Sequence, residues 1–349
     1  MSYKDAQRLL SAKPCAKLGF FPTPFYRLDN LSKELGVELF IKRDDFSGMN
    51  LFGGNKIRKL QYLIGDALQQ KAEYVFTYGA TQSNHAMQTV TACRRFGLKP
   101  IIYLTAIVEP REDDVRANLL LDKIMDAEIH IVRVEKGESE EEAEERSYKM
   151  GREHIARLEA QGHRCYNVPM GGASYVGSAG FIGGYAELEE QMEKLGIQAD
   201  YVFHATGSGG TMAGLVAGRA LTGSKADIVS VAVSDHPVGA YVREKAELAN
   251  EALAWIGAKE RVSAADFHVD ANYFQPGYER PSAAATEAIK TLAVKEGLLL
   301  DPVYSGKCFA GLLDYVRSGK ISRDSVVVFW HTGGATALFA EKEILGKLF

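Results

Sequence analysis

The sequence predicts an α/β protein with open, twisted, mostly parallel sheets flanked by helices. Short β-branched or aromatic runs alternate with longer helical stretches along the whole chain. The runs are near-continuously apolar, which fits strands buried on both faces. Regular alternation of the two element types implies right-handed crossovers, and no fixed-period repeat competes with that reading. In chain order, strands are expected at residues 38–41, 74–77, 100–104, 129–132, 201–203, 228–233 and 326–329.

The 349 residues exceed one ordinary hydrophobic core. Two Gly-rich zones mark domain crossings: Gly53-Gly54-Asn55, and Gly171-Gly172-Ala173 followed by Gly177, Gly180, Gly183 and Gly184. The alternations between them suffice for a small separate sheet. A small domain is expected over residues 67–176, and a large one over 1–66 together with 177–349.

Composition excludes several classes. Apolar residues make up 46% and charged residues 25%, an ordinary globular balance. A net charge of -4 and a pI near 6.1 argue against a nucleic-acid-binding face. Cys15, Cys93, Cys165 and Cys308 show no paired spacing and read as reduced thiols. The start MSYKDAQRLL has no apolar leader core, and the run Val326–Trp330 is far too short for a bilayer. A cytoplasmic protein without membrane contact is expected. The eight histidines show no metal-ligand spacing, so no metal is expected. The acidic stretch 135–146 reads as a solvated helix face or loop.

Four constellations carry chemistry. In Gly53-Gly54-Asn55-Lys56-Ile57-Arg58-Lys59-Leu60, a lysine follows two glycines at a helix start. The helix N-terminus and desolvation both lower a lysine pKa, and such an amine can attack an aldehyde. On this segment alone, Lys56, Arg58 and Lys59 read as ordinary surface cations. Thr206-Gly207-Ser208-Gly209-Gly210-Thr211 joins a strand to a helix and forms an anion cradle. It lacks the dinucleotide spacing, so a single phosphate fits better. Gln82-Ser83-Asn84-His85 sits at a strand's carboxyl end, where open sheets bind ligands; Ser83 or Asn84 can equally cap the helix that follows. In the C-terminal third stand Gln275-Pro276-Gly277-Tyr278, Asp301-Pro302-Val303-Tyr304-Ser305-Gly306-Lys307 and His331-Thr332-Gly333-Gly334. Taken singly, these tyrosines read as packing residues and His331 as a structural histidine.

Together and in this order, GGNKIRKL, QSNH and ATGSGGTMAG resemble fold-type II enzymes dependent on pyridoxal 5′-phosphate (PLP). DPVYSGK and HTGG narrow the resemblance to the branch of 1-aminocyclopropane-1-carboxylate deaminase, D-cysteine desulfhydrase and L-cysteate sulfo-lyase. It runs from about Phe21 to about Phe339. The resemblance implies that Lys56 links to the cofactor and moves protons at the substrate Cα, and that Asn84 bonds the cofactor's phenolic oxygen. Ser83 and His85 would hold the substrate carboxylate, with Ser83 near the proton path. Thr206, Gly207, Ser208, Gly209, Gly210 and Thr211 would bind the phosphate. Tyr278 and Tyr304 would act beside the substrate, and Thr332 would approach the pyridine nitrogen. A homodimer is also implied.

Two positions depart from the branch. Ser305 replaces the glutamate of the deaminase pattern, which disfavours opening of the cyclopropane ring. Glu279 stands where the family reads glycine, and would repel an anionic substrate if it faced the site. The expected reaction is elimination from D-cysteine to pyruvate, ammonia and hydrogen sulfide. L-cysteate sulfo-lyase comes second, the cyclopropane deaminase third, and a PLP-binding protein without turnover is the non-enzymatic alternative.

Overall fold

The computed structural model describes residues 1–348 and contains two sheets. The first part of the chain forms α1 (Tyr3–Ser11), β1 (Phe25–Arg27), α2 (Asp29–Leu35), β2 (Glu38–Arg43) and α3 (Lys56–Gln69). The middle part forms β3 (Tyr74–Ala80), α4 (Asn84–Arg95), β4 (Lys99–Ala106), α5 (Ala117–Ile124), β5 (Glu128–Arg133), α6 (Glu140–Ala160) and β6 (Cys165–Asn167). Then come α7 (Tyr175–Leu195), β7 (Tyr201–Thr206), α8 (Gly210–Thr222), β8 (Asp227–Ala232), α9 (Val238–Ile256) and β9 (His268–Asp270). The chain finishes with α10 (Ala283–Glu296), α11 (Ser305–Arg317), β10 (Val326–His331) and α12 (Lys342–Leu345).

The six-stranded sheet has the order β1-β2-β10-β7-β8-β9; only β1 runs antiparallel. The four-stranded sheet, β5-β4-β3-β6, is wholly parallel and takes all its strands from residues 74–167. All seven expected strands are present. The three unexpected ones, β1, β6 and β9, are three-residue edge strands, too short for a periodic signal. In β7, β8 and β10 every residue after the first is buried, as helix-covered parallel strands require.

Local chemistry starts the helices. Ser139 and Glu142 form a capping box on α6, and Ser174 caps α7 through the Gly177 N–H. Glycines let α7 lie close on its neighbours. A Cβ on Gly180 would stand 2.1 Å from the Arg58 carbonyl oxygen of α3, and one on Gly214 of α8 would stand 2.2 Å from that of Ser178.

The reading of Arg58 and Lys59 as surface cations is corrected, since they are only 3% and 1% exposed. Arg58 bonds Asp44 and Glu187, each at 2.8 Å. Lys42 reaches Glu187 at 2.5 Å, and the Trp330 indole donates to Asp44 at 2.8 Å. Burial pushes the Glu187 carboxyl up, but Arg58 and Lys42 outweigh it and hold it near about 2. Charge pairing with full hydrogen bonding is what makes such burial tolerable. The network joins β2, α3, α7 and β10 directly beneath the start of α3.

Candidate active site

Residues of both sheets enclose a cavity of about 400 Å3. It lies beyond the carboxyl ends of β3, β7 and β10, where parallel sheets present their loops to ligands. Lys56, Ser83, Asn84, His85, Thr206, Gly207, Ser208, Gly209, Thr211, Tyr278, Tyr304 and Thr332 all line it. Gly210 does not line it; it is the first residue of α8, directly behind the loop.

Lys56 is the first residue of α3 and is half-buried. Burial lowers its amine from the ordinary lysine range to about 8. Its amine has no hydrogen-bond partner among the described residues. Two neighbours fix the backbone around it: the Asn55 N–H donates to the Thr332 carbonyl at 3.0 Å, and the Asn55 amide donates to Thr211 Oγ1 at 3.0 Å. One turn on, Lys59 donates to the Gly171 carbonyl at 2.9 Å. Burial, then Lys56, then Lys245 hold Lys59 well below the usual range.

The loop 206–211 has the form of an anion cradle. Gly209 takes left-handed backbone (φ 82°), which turns the chain into α8. The first bond of that turn runs from the Ala213 N–H to the Gly209 carbonyl, leaving the preceding N–H groups without helical acceptors. Two lysines stand behind the loop. A Cβ on Gly210 would be 2.9 Å from Lys59 Nζ, and one on Gly209 would be 2.5 Å from Lys245 Cε. Tyr241 donates to the Gly207 carbonyl at 2.6 Å and bonds Thr206 Oγ1 at 3.0 Å, steadying the loop from outside. Orphan N–H groups at a helix N-terminus with nearby lysines suit a phosphate monoester.

Ser83 caps α4 by accepting from the Ala86 N–H at 3.2 Å, and it lines the cavity as well. Asn84 Oδ1 accepts from Asn118 at 2.9 Å and from Thr336 at 3.1 Å. Both its lone pairs are therefore engaged, and its NH2 remains the group free to donate. His85 Nε2 bonds Thr77 Oγ1 at 2.8 Å, and Thr77 Oγ1 also lies 3.1 Å from the Val168 carbonyl oxygen. Burial, then Lys56 and Lys59, keep this imidazole neutral.

Tyr278 and Tyr304 meet edge to face, ring centroids 5.7 Å apart, with their hydroxyls hydrogen-bonded to each other. Burial raises both phenols above their ordinary range, so both stay protonated. Lys307 is fully buried and donates to the carbonyls of Phe274 (2.9 Å) and Gly277 (2.6 Å), holding the segment that delivers Tyr278.

Three expectations change here. Ser305 does not line the cavity; its hydroxyl is taken by Asp301 at 2.5 Å. Glu279 is 2% exposed, and burial, then Glu341 and Glu140, raise it to about 8, so it carries no charge at neutral pH. It occupies left-handed backbone (φ 52°), the conformation a glycine takes freely. The acidic stretch is not merely solvated, because Glu140, Glu141 and Glu144 line the cavity. Burial, then Glu141 and Glu140, raise Glu144 to about 7.

Sequence reasoning also passed over Asn55, Lys59 and the run Ser234-Asp235-His236, all at the cavity. That run follows β8 directly, so the rule that singled out residues 82–85 would have found it.

A lysine and a glycine-rich loop at a helix start line one polar cavity between two mostly parallel sheets, which suits a phosphorylated aldehyde. The family description "pyridoxal-phosphate dependent enzyme" matches residues 16–333, and the chain belongs to that family. A D-cysteine desulfhydrase of Salmonella schwarzengrund is 36% identical over 322 residues, covering 91% of this chain and 93% of that protein. A Pyrococcus furiosus protein provisionally named a 1-aminocyclopropane-1-carboxylate deaminase is 36% identical over 338 residues, covering 97% of each. A crystal structure titled as an ACC deaminase homologue superposes with a TM-score of 0.86 at 34% identity, covering 99% of both chains. Escherichia coli diaminopropionate ammonia lyase, at 17% identity and a TM-score of 0.62, shares the fold. The protein is thus a fold-type II, PLP-dependent enzyme of the elimination and deamination group.

Proposed function

We propose that the protein eliminates the β-substituent of D-cysteine, converting D-cysteine and water to pyruvate, ammonia and hydrogen sulfide. The observation that carries this reading is the meeting of Lys56 and the protonated Tyr278–Tyr304 pair in one cavity. PLP supplies an electron sink for charge developing at the substrate Cα. The chain supplies the rest. Thr206, Gly207, Ser208, Gly209 and Thr211 hold the phosphate, with Gly210 turning the chain behind it. Asn84 donates its NH2 to the phenolic oxygen, and Thr332 stands as a neutral partner for the ring nitrogen. Lys56, poised near neutrality, takes the Cα proton. The tyrosine pair gives a proton to the departing sulfur. Ser83 retains its O–H for the substrate carboxylate. His85, a neutral imidazole beside Ser83, stands with it at the substrate carboxylate.

Selection among substrates follows from charge. Glu140, Glu141 and Glu144 set a negative wall against the sulfonate of L-cysteate, in place of the part expected of Glu279. The position that carries a glutamate in the deaminase pattern has no acid here, which leaves ring opening of the cyclopropane substrate unassisted. Pyruvate release from D-cysteine and L-cysteate, with 2-oxobutyrate and ammonia release from the cyclopropane substrate, decides the matter. The highest kcat/KM is expected for D-cysteine. Faster turnover of either competitor, or no turnover of D-cysteine, removes the reading. We also propose a homodimer in the cytoplasm, on the family resemblance.

A further inference from the structure

We propose that Glu128, His130 and His154 form a binding site for one divalent transition-metal ion of the zinc type, separate from the PLP cavity. The sequence gives no metal-ligand spacing; the fold creates the cluster. In β5 the two-residue period puts Glu128 and His130 on one face, and α6 brings His154 over that face. His130 Nε2 lies 2.8 Å from Glu128 Oε1, and His154 Nδ1 lies 3.8 Å from the same oxygen. All three ligand atoms fall within 4.8 Å of one another. Tetrahedral ligands about 2.0–2.1 Å from zinc stand roughly 3.3–3.5 Å apart, so small side-chain rotations complete the geometry.

Both imidazoles are already oriented. His130 stacks on Tyr103 with centroids 4.4 Å apart and planes 9° apart. His154 meets Phe76 edge-on at 5.3 Å, and its Nδ1 bonds the Tyr103 hydroxyl at 3.1 Å, a bond that a bound ion would replace. Two imidazoles and one carboxylate favour zinc, cobalt or nickel over magnesium or calcium, which take oxygen ligands. The side of Glu128 is open to solvent and leaves a fourth position for water. A bound ion would pin β5, an edge strand, to α6. His154 lies ten residues beyond Glu144, about 15 Å along the helix axis, which keeps the site clear of the cavity.

The test is calorimetric titration of the PLP-loaded enzyme with Zn2+, with Co2+ absorption as a second probe. One ion per chain is expected in the parent protein and in His163→Ala, which removes a histidine paired with Glu73 elsewhere on the surface. Binding should weaken at least roughly tenfold in His130→Ala and in His154→Ala. Zn2+ should raise the Tm of the parent and leave both variants unmoved. His130→Gln, with circular dichroism and the bound-PLP spectrum unchanged, separates ligand loss from misfolding. Absence of saturable binding, or stoichiometric binding that survives in both alanine variants, overturns the proposal.

Discussion

Lys56 and Lys59 are both desolvated and only one helical turn apart, yet their surroundings differ. Lys59 is committed to the Gly171 carbonyl, whereas the amine of Lys56 faces the cavity. Lys56→Ala should therefore abolish turnover and the borohydride-stable bond to PLP, read by mass spectrometry. Labelling on Lys59 or Lys42 would reassign the attachment site. Lys59→Met should instead weaken PLP affinity, because a phosphate in the neighbouring cradle favours the charged form of Lys59. The acidic wall gives a pH prediction. Glu144 is neutral below about 7 and charged above it. The ratio of kcat/KM for L-cysteate to that for D-cysteine should fall as pH rises through this value. Glu144→Gln should flatten the profile and raise the ratio on the order of threefold to tenfold at pH 8.

At the scale of elements, the C-terminal segments depend on one buried lysine. Lys307, on α11, grips the segment before Tyr278 through two carbonyls. Lys307→Met should lower kcat by roughly a hundredfold while the bound-cofactor spectrum holds, since displacement of a reacting group by about an ångström has that effect. Helix α5 carries a different burden. Asp122 is 1% exposed, neither of its carboxyl oxygens has a partner, and burial raises its pKa well above the ordinary value. The unfolded chain releases this proton near the ordinary aspartate value, while the folded chain keeps it. Stability is therefore full at low pH and is lost as pH rises toward the folded value. Asp122→Asn should stabilise the protein by about 1–3 kcal/mol at pH 7, in urea unfolding, and by much less near pH 4.

For the whole molecule, the Arg58 network decides whether the start of α3 stays in place. Arg58→Met would leave buried Asp44 without a cation and Glu187 with Lys42 alone, and should cost about 3–5 kcal/mol. Thermal unfolding measures the loss, and PLP should protect the variant by mass action. Sedimentation equilibrium should return twice the 38.3 kDa chain mass for the proposed dimer.

Seven strands and the glycine-rich turn 206–211 were legible because each is a local pattern: an apolar run of useful length, or glycines with hydroxyls after a strand. Lys56 reads as a surface cation on its own segment and stands out only through the ordered set of motifs. The sequence by itself thus determined the fold class and the family. What it left open depends on neighbours distant along the chain. Arg58 and Lys59 look like surface cations until α7 and the segment around Gly171 enclose them. Glu279 looks charged until its burial neutralises it. Ser305 looks free to stand in for the deaminase glutamate until Asp301 takes its hydroxyl. Glu140, Glu141 and Glu144 look solvated until the cavity forms beside them. Glu128, His130 and His154 share no spacing until α6 crosses β5. Only the tertiary structure decided these, because desolvation and charge pairing are set by which groups meet in space, and residue order does not encode them locally.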